Sequence, residues 1–281
     1  MDSSACPIPK RVGIVHKKNS TEAAACAAAA AQYLRGRGVE VILDPPEAGR
    51  SADLVLVLGG DGTLIYASHL LAGRPAPILG VNMGSLGFMT EVPYAQLYPA
   101  LDLVLQGKAT VSERMKLRVH VHRGGAAEQK VVDSEVLNEV VIAKGALAPM
   151  AELEVTAGGQ YVTTYKADGV IVATPTGSTA YSMAANGPIL HAAMKGVIVL
   201  TPICPHTLTQ RPIVLPDDMD LDITLHSPGD VVVSFDGRGF LKLERTDRVQ
   251  IKPSKSRVLL VKNPDIDYFG ILRAKLKWGE R

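Results

Sequence analysis

Residues 54–58 read LVLVL, apolar at every position, and the chain turns at once through Gly59-Gly60-Asp61-Gly62-Thr63. A half-buried strand alternates polar and apolar residues. An unbroken apolar run needs both faces covered, as they are inside a parallel sheet. Parallel strands require long crossovers, usually helical, so this segment commits the region to an α/β layout. Open parallel sheets hold ligands beyond the carboxyl ends of their strands. Here that end carries a carboxylate between glycines, which keep side chains away from the backbone N–H groups that phosphate would touch, and Thr63 adds a hydroxyl at the start of the next helix.

The runs 12–16, 39–43 and 78–82 supply companion strands. Between the first two lies NSTEAAACAAAAAQYLRGRG, with capping-box spacing at Asn19 and Glu22 and a stop at Gly36 or Gly38. Its alanines are strong helix formers small enough to lie close on a sheet, and they carry no chemistry. From Lys116 the texture changes to alternation, in KLRVHVH, AELEVTAGGQYVTTY, MDLDITLHS, DVVVSF and RVQIKPS. That predicts an antiparallel, all-β, sandwich-like domain, with Gly158-Gly159 as a two-residue hairpin turn. Lys116, Arg118, His120 and His122 share one strand face and read as solvated residues, not metal ligands. YFGILRAKLKW near the end has helical spacing.

With 281 residues, 47% of them apolar, the chain can bury two cores. A net charge of +2 with interspersed signs and only 5% aromatic residues gives neither a basic stripe nor stacking platforms, so nucleic acid is not an expected partner. Cys6, Cys26 and Cys204 lack any CxxC or HxxxH spacing, which suits a reducing cytoplasm and leaves no metal site to assign. No apolar run approaches the ~20 residues of a membrane span, so a soluble, cytoplasmic protein is expected.

Two further segments carry polar chemistry. DGVIVATPTGSTAYS, residues 168–182, flanks a strand with Asp168 on one side and with Thr174, Thr176, Ser178 and Thr179 around Gly177 on the other. Such short hydroxyl groups suit a polar ligand in a crowded cleft; they equally cap a following helix, and both roles can hold together. In LNEVVI, Asn138 can donate and accept at once, as an adenine edge requires, and Glu139 can accept from ribose hydroxyls. On a regular strand these neighbours would point to opposite faces unless a bulge intervenes.

GGDGT alone is shared with lipid kinases and, with serine last, with phosphofructokinases. Joined in order to LNEVVI, TPTGSTAYS, TPICPH from Thr201 and SFDGR from Ser234, it resembles the bacterial NAD kinases across nearly the whole chain. The resemblance implies a Rossmann-like N-terminal domain, without GxGxxG because the first strand leads into HKKNS, and a β-rich, NAD-binding C-terminal domain. The last helix then returns to the first domain, giving residues 1–106 with 258–281 as one unit and 107–257 as the other. It makes NAD a substrate that takes phosphate from ATP or polyphosphate on its adenosine 2′-hydroxyl. Mg²⁺ or another divalent cation would accompany ATP, with no tightly bound organic cofactor, and the assembly would be a homodimer or homotetramer.

Residue by residue, the resemblance makes Asp61 the catalytic proton acceptor, with the roles of orienting group and metal-side ligand also open to it, and puts Gly62 on the same substrate. Asn138 and Glu139 match the dinucleotide-contacting pair, and Thr179, Ala180, Tyr181, Ser182, Met183 and Ala184 the nucleotide-lining run. Asp168 matches an acid two positions after a basic residue, here Lys166 where relatives often carry arginine, so the bidentate fork is lost. Arg238 stands where other members carry glutamine, available to phosphate or to Asp236. Gly59, Gly60 and Thr63 resemble the donor-facing part of the motif. GSLGF, residues 84–88, resembles a segment near the substrate without an assigned role, and His206 reads as structural. Two other readings stay open: a diacylglycerol or sphingoid-base kinase, which needs an apolar acceptor cleft, and a non-catalytic NAD(P) sensor, whose mark would be loss of Asp61.

Overall fold

The computed structural model describes residues 3–124 and 129–279. The chain divides into two compact units, Met1–Arg114 with Ser256–Arg281, and Met115–Lys255.

The first unit runs β1 (Ser3–Ala5), β2 (Arg11–His16), α1 (Thr21–Arg35), β3 (Glu40–Ile42), α2 (Pro45–Ser51), β4 (Leu54–Gly59), α3 (Asp61–Leu70), β5 (Ile78–Asn82), β6 (Val92–Pro93) and α4 (Leu97–Leu105), then enters β7 (Thr110–Arg123). Strands β3, β2, β4 and β5 lie side by side in that order, all parallel. Every residue of β4 and of β5 is buried, as the unbroken apolar run requires. Helix α1 turns Ala23, Cys26, Ala27, Ala30, Ala31 and Leu34 inward, so its alanines do form the close-packing face.

Its cap differs from the expected one. Asn19 takes the left-handed conformation (φ 58°), and Ser20 becomes the N-cap, accepting a bond from the Ala23 amide at 3.2 Å. Asparagine tolerates positive φ and can end the preceding turn, which hands the cap, worth ~1 kcal/mol, to the next hydroxyl.

The second unit takes in the rest of β7 and then β8 (Gln129–Val136), β9 (Glu139–Lys144), β10 (Ala151–Ala157), β11 (Gln160–Ala167), β12 (Gly169–Ala173), the short helix α5 (Tyr181–Ala184), β13 (Val197–Ile203), β14 (Ile213–Pro216), β15 (Leu221–Leu225), β16 (Val231–Phe235), β17 (Arg238–Leu243) and most of β18 (Arg248–Val261). One antiparallel sheet has the order β14-β13-β12-β9-β16-β17; β11, β10, β15 and β18 form the other, which β7 and β8 extend. Inward residues of both sheets, among them Leu117, Val119, Leu153, Val155, Val170, Val172 and Val233, share one core. That is a sandwich, and each such side chain contributes ~1.5–3 kcal/mol by leaving water. Gly158 and Gly159 both have positive φ (56° and 77°) and close the β10–β11 hairpin as predicted.

The face of Lys116, Arg118, His120 and His122 is solvated only in part: Arg118 is exposed, as alternation suggested, while His120 and His122 are half-buried and Lys116 is buried. Lys116 is 2% exposed and pairs with Glu135 at 2.9 Å, while Arg118 and His120 both reach Asp133. The neighbouring strand β8 places its acids opposite these bases, with Arg118 across from Glu135 and His120 across from Asp133.

The end of β18 pairs in parallel with β5, Leu260 beside Ile78, and helix α6 (Tyr268–Leu276) buries Ile271 and Leu272 in the first unit. Asp267 caps α6 through the Gly270 amide at 2.8 Å. Among the described residues no helix is long and apolar enough to cross a membrane.

Candidate active site

In the first unit, β2 and β4 are neighbours whose crossovers depart in opposite directions, to β3 and to β5. Such a switch point opens a crevice beyond the carboxyl ends of the two strands. His16 and Leu58 lie side by side there, and the GGDGT turn follows. Gly60 is the N-cap of α3 and offers no side chain, while the Thr63 side chain packs against Gly59 so closely that a Cβ at 59 would overlap it. Over Gly60 and Gly62 nothing lies within 4 Å of where a Cβ would stand. No neighbouring atom crowds the side-chain position of these two glycines, at the positive end of α3.

Asp61 is the first residue of α3, yet its carboxylate turns to the segment after β5. Oδ2 accepts from the Phe88 amide at 2.8 Å; Oδ1 accepts from the Met89 amide at 3.1 Å, the Thr90 amide at 3.0 Å and the Thr90 hydroxyl at 3.0 Å. Asn82 stands behind Thr90: its Nδ2 donates to Thr90 Oγ1 at 3.1 Å and to the Ser85 carbonyl, and its Oδ1 accepts from the Gly84 amide at 2.6 Å. A Cβ at Gly87 would overlap both Asp61 and Thr90. The segment 84–90 is thus built around this carboxylate. Sequence reasoning noted GSLGF but missed Asn82 and Thr90, because most donors to Asp61 are backbone amides that any residue supplies.

In the second unit the conflict over Asn138 and Glu139 disappears. Leu137 and Asn138 form a bend ahead of β9, so strand alternation does not govern them. The bend is held by Asp236, which takes positive φ (52°) and accepts from three successive amides: Leu137 at 2.8 Å, Asn138 at 2.7 Å and Glu139 at 3.1 Å. Thr174 locks the other side, donating to the Leu137 carbonyl at 2.6 Å, while Gly177 sits so tightly on the Asn138 backbone that no side chain would fit.

Most hydroxyls of the 174–182 run are spent inside the protein. Ser178 bonds the Pro175 and Leu190 carbonyls, Thr179 the Thr176 carbonyl, and Ser182 meets Thr201 at 2.9 Å. Asn138 Oδ1, Glu139 Oε2 and Thr176 Oγ1 are buried and have no hydrogen-bond partner among the described residues. Native structures rarely leave such atoms unpaired, and these three, close together in the fold, could each bond a polar ligand. Burial foremost, and the nearby Asp236 charge, push the Glu139 carboxyl up from 4.5 to about 8, opposed by a bond from the Tyr181 amide. At neutral pH Glu139 is then largely protonated and can donate as well as accept, where the sequence alone suggested an acceptor. Tyr181 is exposed, and Ala180, Met183 and Ala184 complete the turn and α5 beside it.

Lys166 and Asp168 stand apart from this cluster, at the opposite end of β12, whose five residues span ~17 Å. Asp168 lies 3.6 Å from Lys144, and Lys166 is exposed and paired with Glu152 at 2.9 Å. Arg238 is exposed at the start of β17, and the carboxylate of Asp236 points inward to the three amides. His206 donates its amide to the Lys166 carbonyl at 2.9 Å.

Two family models match the sequence: the ATP-NAD kinase N-terminal domain over residues 45–109 and the ATP-NAD kinase C-terminal domain over residues 137–263. The chain belongs to the NAD kinase family. An NAD kinase of Geotalea daltonii is 45% identical over 287 residues, covering 97% of this chain and all of the relative. One from Geobacter metallireducens is 52% identical over 231 residues, covering 82% and 80%. Among solved structures, a yeast NADH kinase complexed with NADH has a TM-score of 0.89 at 21% identity, covering 100% of this chain and 93% of its own. An Archaeoglobus fulgidus NAD kinase in complex with ATP has a TM-score of 0.76 at 24% identity, covering 94% and 99%. These two share the fold. As an NAD kinase the chain is a phosphotransferase, and the α/β-plus-sandwich architecture read from its sequence is the family's.

Proposed function

We propose that this NAD kinase transfers the γ-phosphoryl group of ATP, or the end group of polyphosphate, to the 2′-hydroxyl of the adenosine ribose of NAD, giving NADP. The observation that carries the dinucleotide half is the trio of unpartnered buried atoms, Asn138 Oδ1, Glu139 Oε2 and Thr176 Oγ1. A donor-acceptor amide, a neutral acid and a hydroxyl read an adenosine edge and sugar well, and an acyl chain poorly, which disfavours a lipid acceptor. On this reading the β-rich domain, residues 107–257 as read from the sequence, binds NAD through Asn138 and Glu139, with the 179–184 run against the nucleotide. Gly59, Gly60 and Thr63 serve the donor phosphates, and Asp61 and Gly62 serve the acceptor hydroxyl. Lys166 and Asp168, at the far end of β12, would meet only a distant part of the dinucleotide, and Arg238 is exposed at the start of β17.

Asp61 has one capacity left: Oδ1 takes three donors and Oδ2 one, so Oδ2 can accept a further hydrogen bond from a sugar hydroxyl and aim its oxygen at phosphorus. Orientation of this kind suits a loose phosphoryl-transfer transition state, in which charge builds on the transferred group. Among the described residues no three His, Cys, Asp or Glu side chains converge, so a divalent cation such as Mg²⁺ would be held chiefly by the donor's own phosphates. We expect a cytoplasmic enzyme working as a homodimer or homotetramer.

Asp61→Asn tests the assignment. It should leave NAD affinity, read by calorimetry, largely unchanged and cut NADP formation, read through an NADP-specific dehydrogenase, by ~10² or more. A variant with near-normal turnover refutes it.

A further inference from the structure

We infer that Thr90, set by Asn82, is the positioning residue that fixes which oxygen of Asp61 is offered to the substrate. The inference rests on the function proposed above.

The directions of these bonds follow from the atoms involved. The Gly84 amide can only donate and the Ser85 carbonyl can only accept, so the Asn82 amide has one orientation: Oδ1 toward Gly84, Nδ2 toward Ser85 and Thr90. Asn82 Nδ2 donates to Thr90 Oγ1, which leaves the single hydroxyl proton of Thr90 to point at Asp61 Oδ1, 3.0 Å away. Oδ1 then holds three donors, the amides of Met89 and Thr90 and this hydroxyl. That exceeds its two in-plane lone pairs. Oδ2 keeps a free lone pair beside its bond from Phe88.

The two oxygens are chemically equivalent in an isolated carboxylate, and rotation about the side-chain bond exchanges them. The hydroxyl breaks that equivalence. Without it the carboxylate retains three amide donors and can rock between them, so the free lone pair is smeared over a range of directions. Thr90 and Asn82 are 0% and 5% exposed, so water is a poor substitute for either bond. A misplacement of ~1 Å at a reacting oxygen can cost ~10²-fold in rate while leaving the substrate bound. Thr90 should therefore act on turnover and not on affinity.

The experiment compares Thr90→Val, Thr90→Ala and Thr90→Ser with the unmodified enzyme, using ATP, Mg²⁺ and NAD, with melting temperature as the check on folding. The inference expects kcat to fall ~10-fold or more in Thr90→Val with the KM for NAD within about twofold, and Thr90→Ser to recover most of the loss. A Thr90→Val enzyme with normal kcat overturns it. So does a Thr90→Ser enzyme as impaired as Thr90→Val, since the methyl group and not the hydroxyl would then matter. If Thr90→Val does not fold, the Ala–Ser pair decides by the same criterion. An unmodified enzyme that makes no NADP would sink the proposed function instead, and is distinguished by failing before any substitution is made.

Discussion

Two carboxyl groups of one chain are handled in opposite ways. Asp61 accepts from four donors, whereas Glu139 is buried near Asp236, with one oxygen unpaired among the described residues, and is pushed up to about 8. Because its folded value lies above its unfolded 4.5, the folded state holds the proton more tightly. The stability this gives is complete below pH 4.5 and is lost as pH rises through about 8. Denaturant midpoints should thus fall between about pH 5 and about pH 9 in the unmodified protein and fall less in Glu139→Gln. An amide imitates a neutral acid, so Glu139→Gln should also keep most of its NAD affinity at neutral pH. Equal pH dependence in both proteins would show that Glu139 is ionised in the fold. Asp61, Asn138 and Glu139 could be singled out in the sequence because such polar types are conspicuous beside apolar strands, and the structure gives each a buried or heavily bonded polar setting. Thr90 and Asp236 could not be: Asp236 works on three backbone amides, and the Thr90 hydroxyl on the side chains of Asp61 and Asn82, contacts between distant positions that no residue pattern displays.

At the scale of single elements, the start of β9 depends on a residue about a hundred positions away in sequence. Asp236 gathers the amides of Leu137, Asn138 and Glu139, and burying those three groups unpaired would be costly. Asp236→Asn keeps one acceptor oxygen and sets an NH₂ group against an amide N–H, and should cost ~2–3 kcal/mol in urea unfolding. It also removes the charge that helps raise Glu139, so the pH dependence predicted for that residue should shift downward. Unchanged stability would mean that water replaces the carboxylate. Period and punctuation made most elements readable: the unbroken run of β4, the double glycine of the β10–β11 hairpin and the alanine face of α1 all stand where they were expected. The errors have one origin. Alternation places Lys116 and His120 on a face but cannot say that Glu135 and Asp133 of β8 cover it, and capping-box spacing fitted Asn19 until the left-handed turn there moved the start of α1 by one residue.

For the molecule as a whole, the decisive feature is that the parallel unit is made from both ends of the chain. The end of β18 lies beside β5, Val261 belongs to the same apolar core as Val12 and Leu56, and α6 buries two further residues. A chain cut after Lys255 should keep the antiparallel unit, whose strands are contiguous in sequence, and lose the parallel one. Hydrogen exchange would show it: β9 and β12 amides stay protected while those of β4 and β5 exchange freely. Full protection of β4 in the shortened chain would contradict the prediction.

The same discontinuity orders events on the ribosome. The GGDGT turn is translated before the β-sandwich, but the end of β18, which pairs with β5 of the same sheet, emerges only after the other sandwich strands have been made. The domain begun second is finished first, and the nascent N-terminal half must wait, with Ile78 of β5 lacking its β18 neighbour, for the segment around Leu260 to arrive.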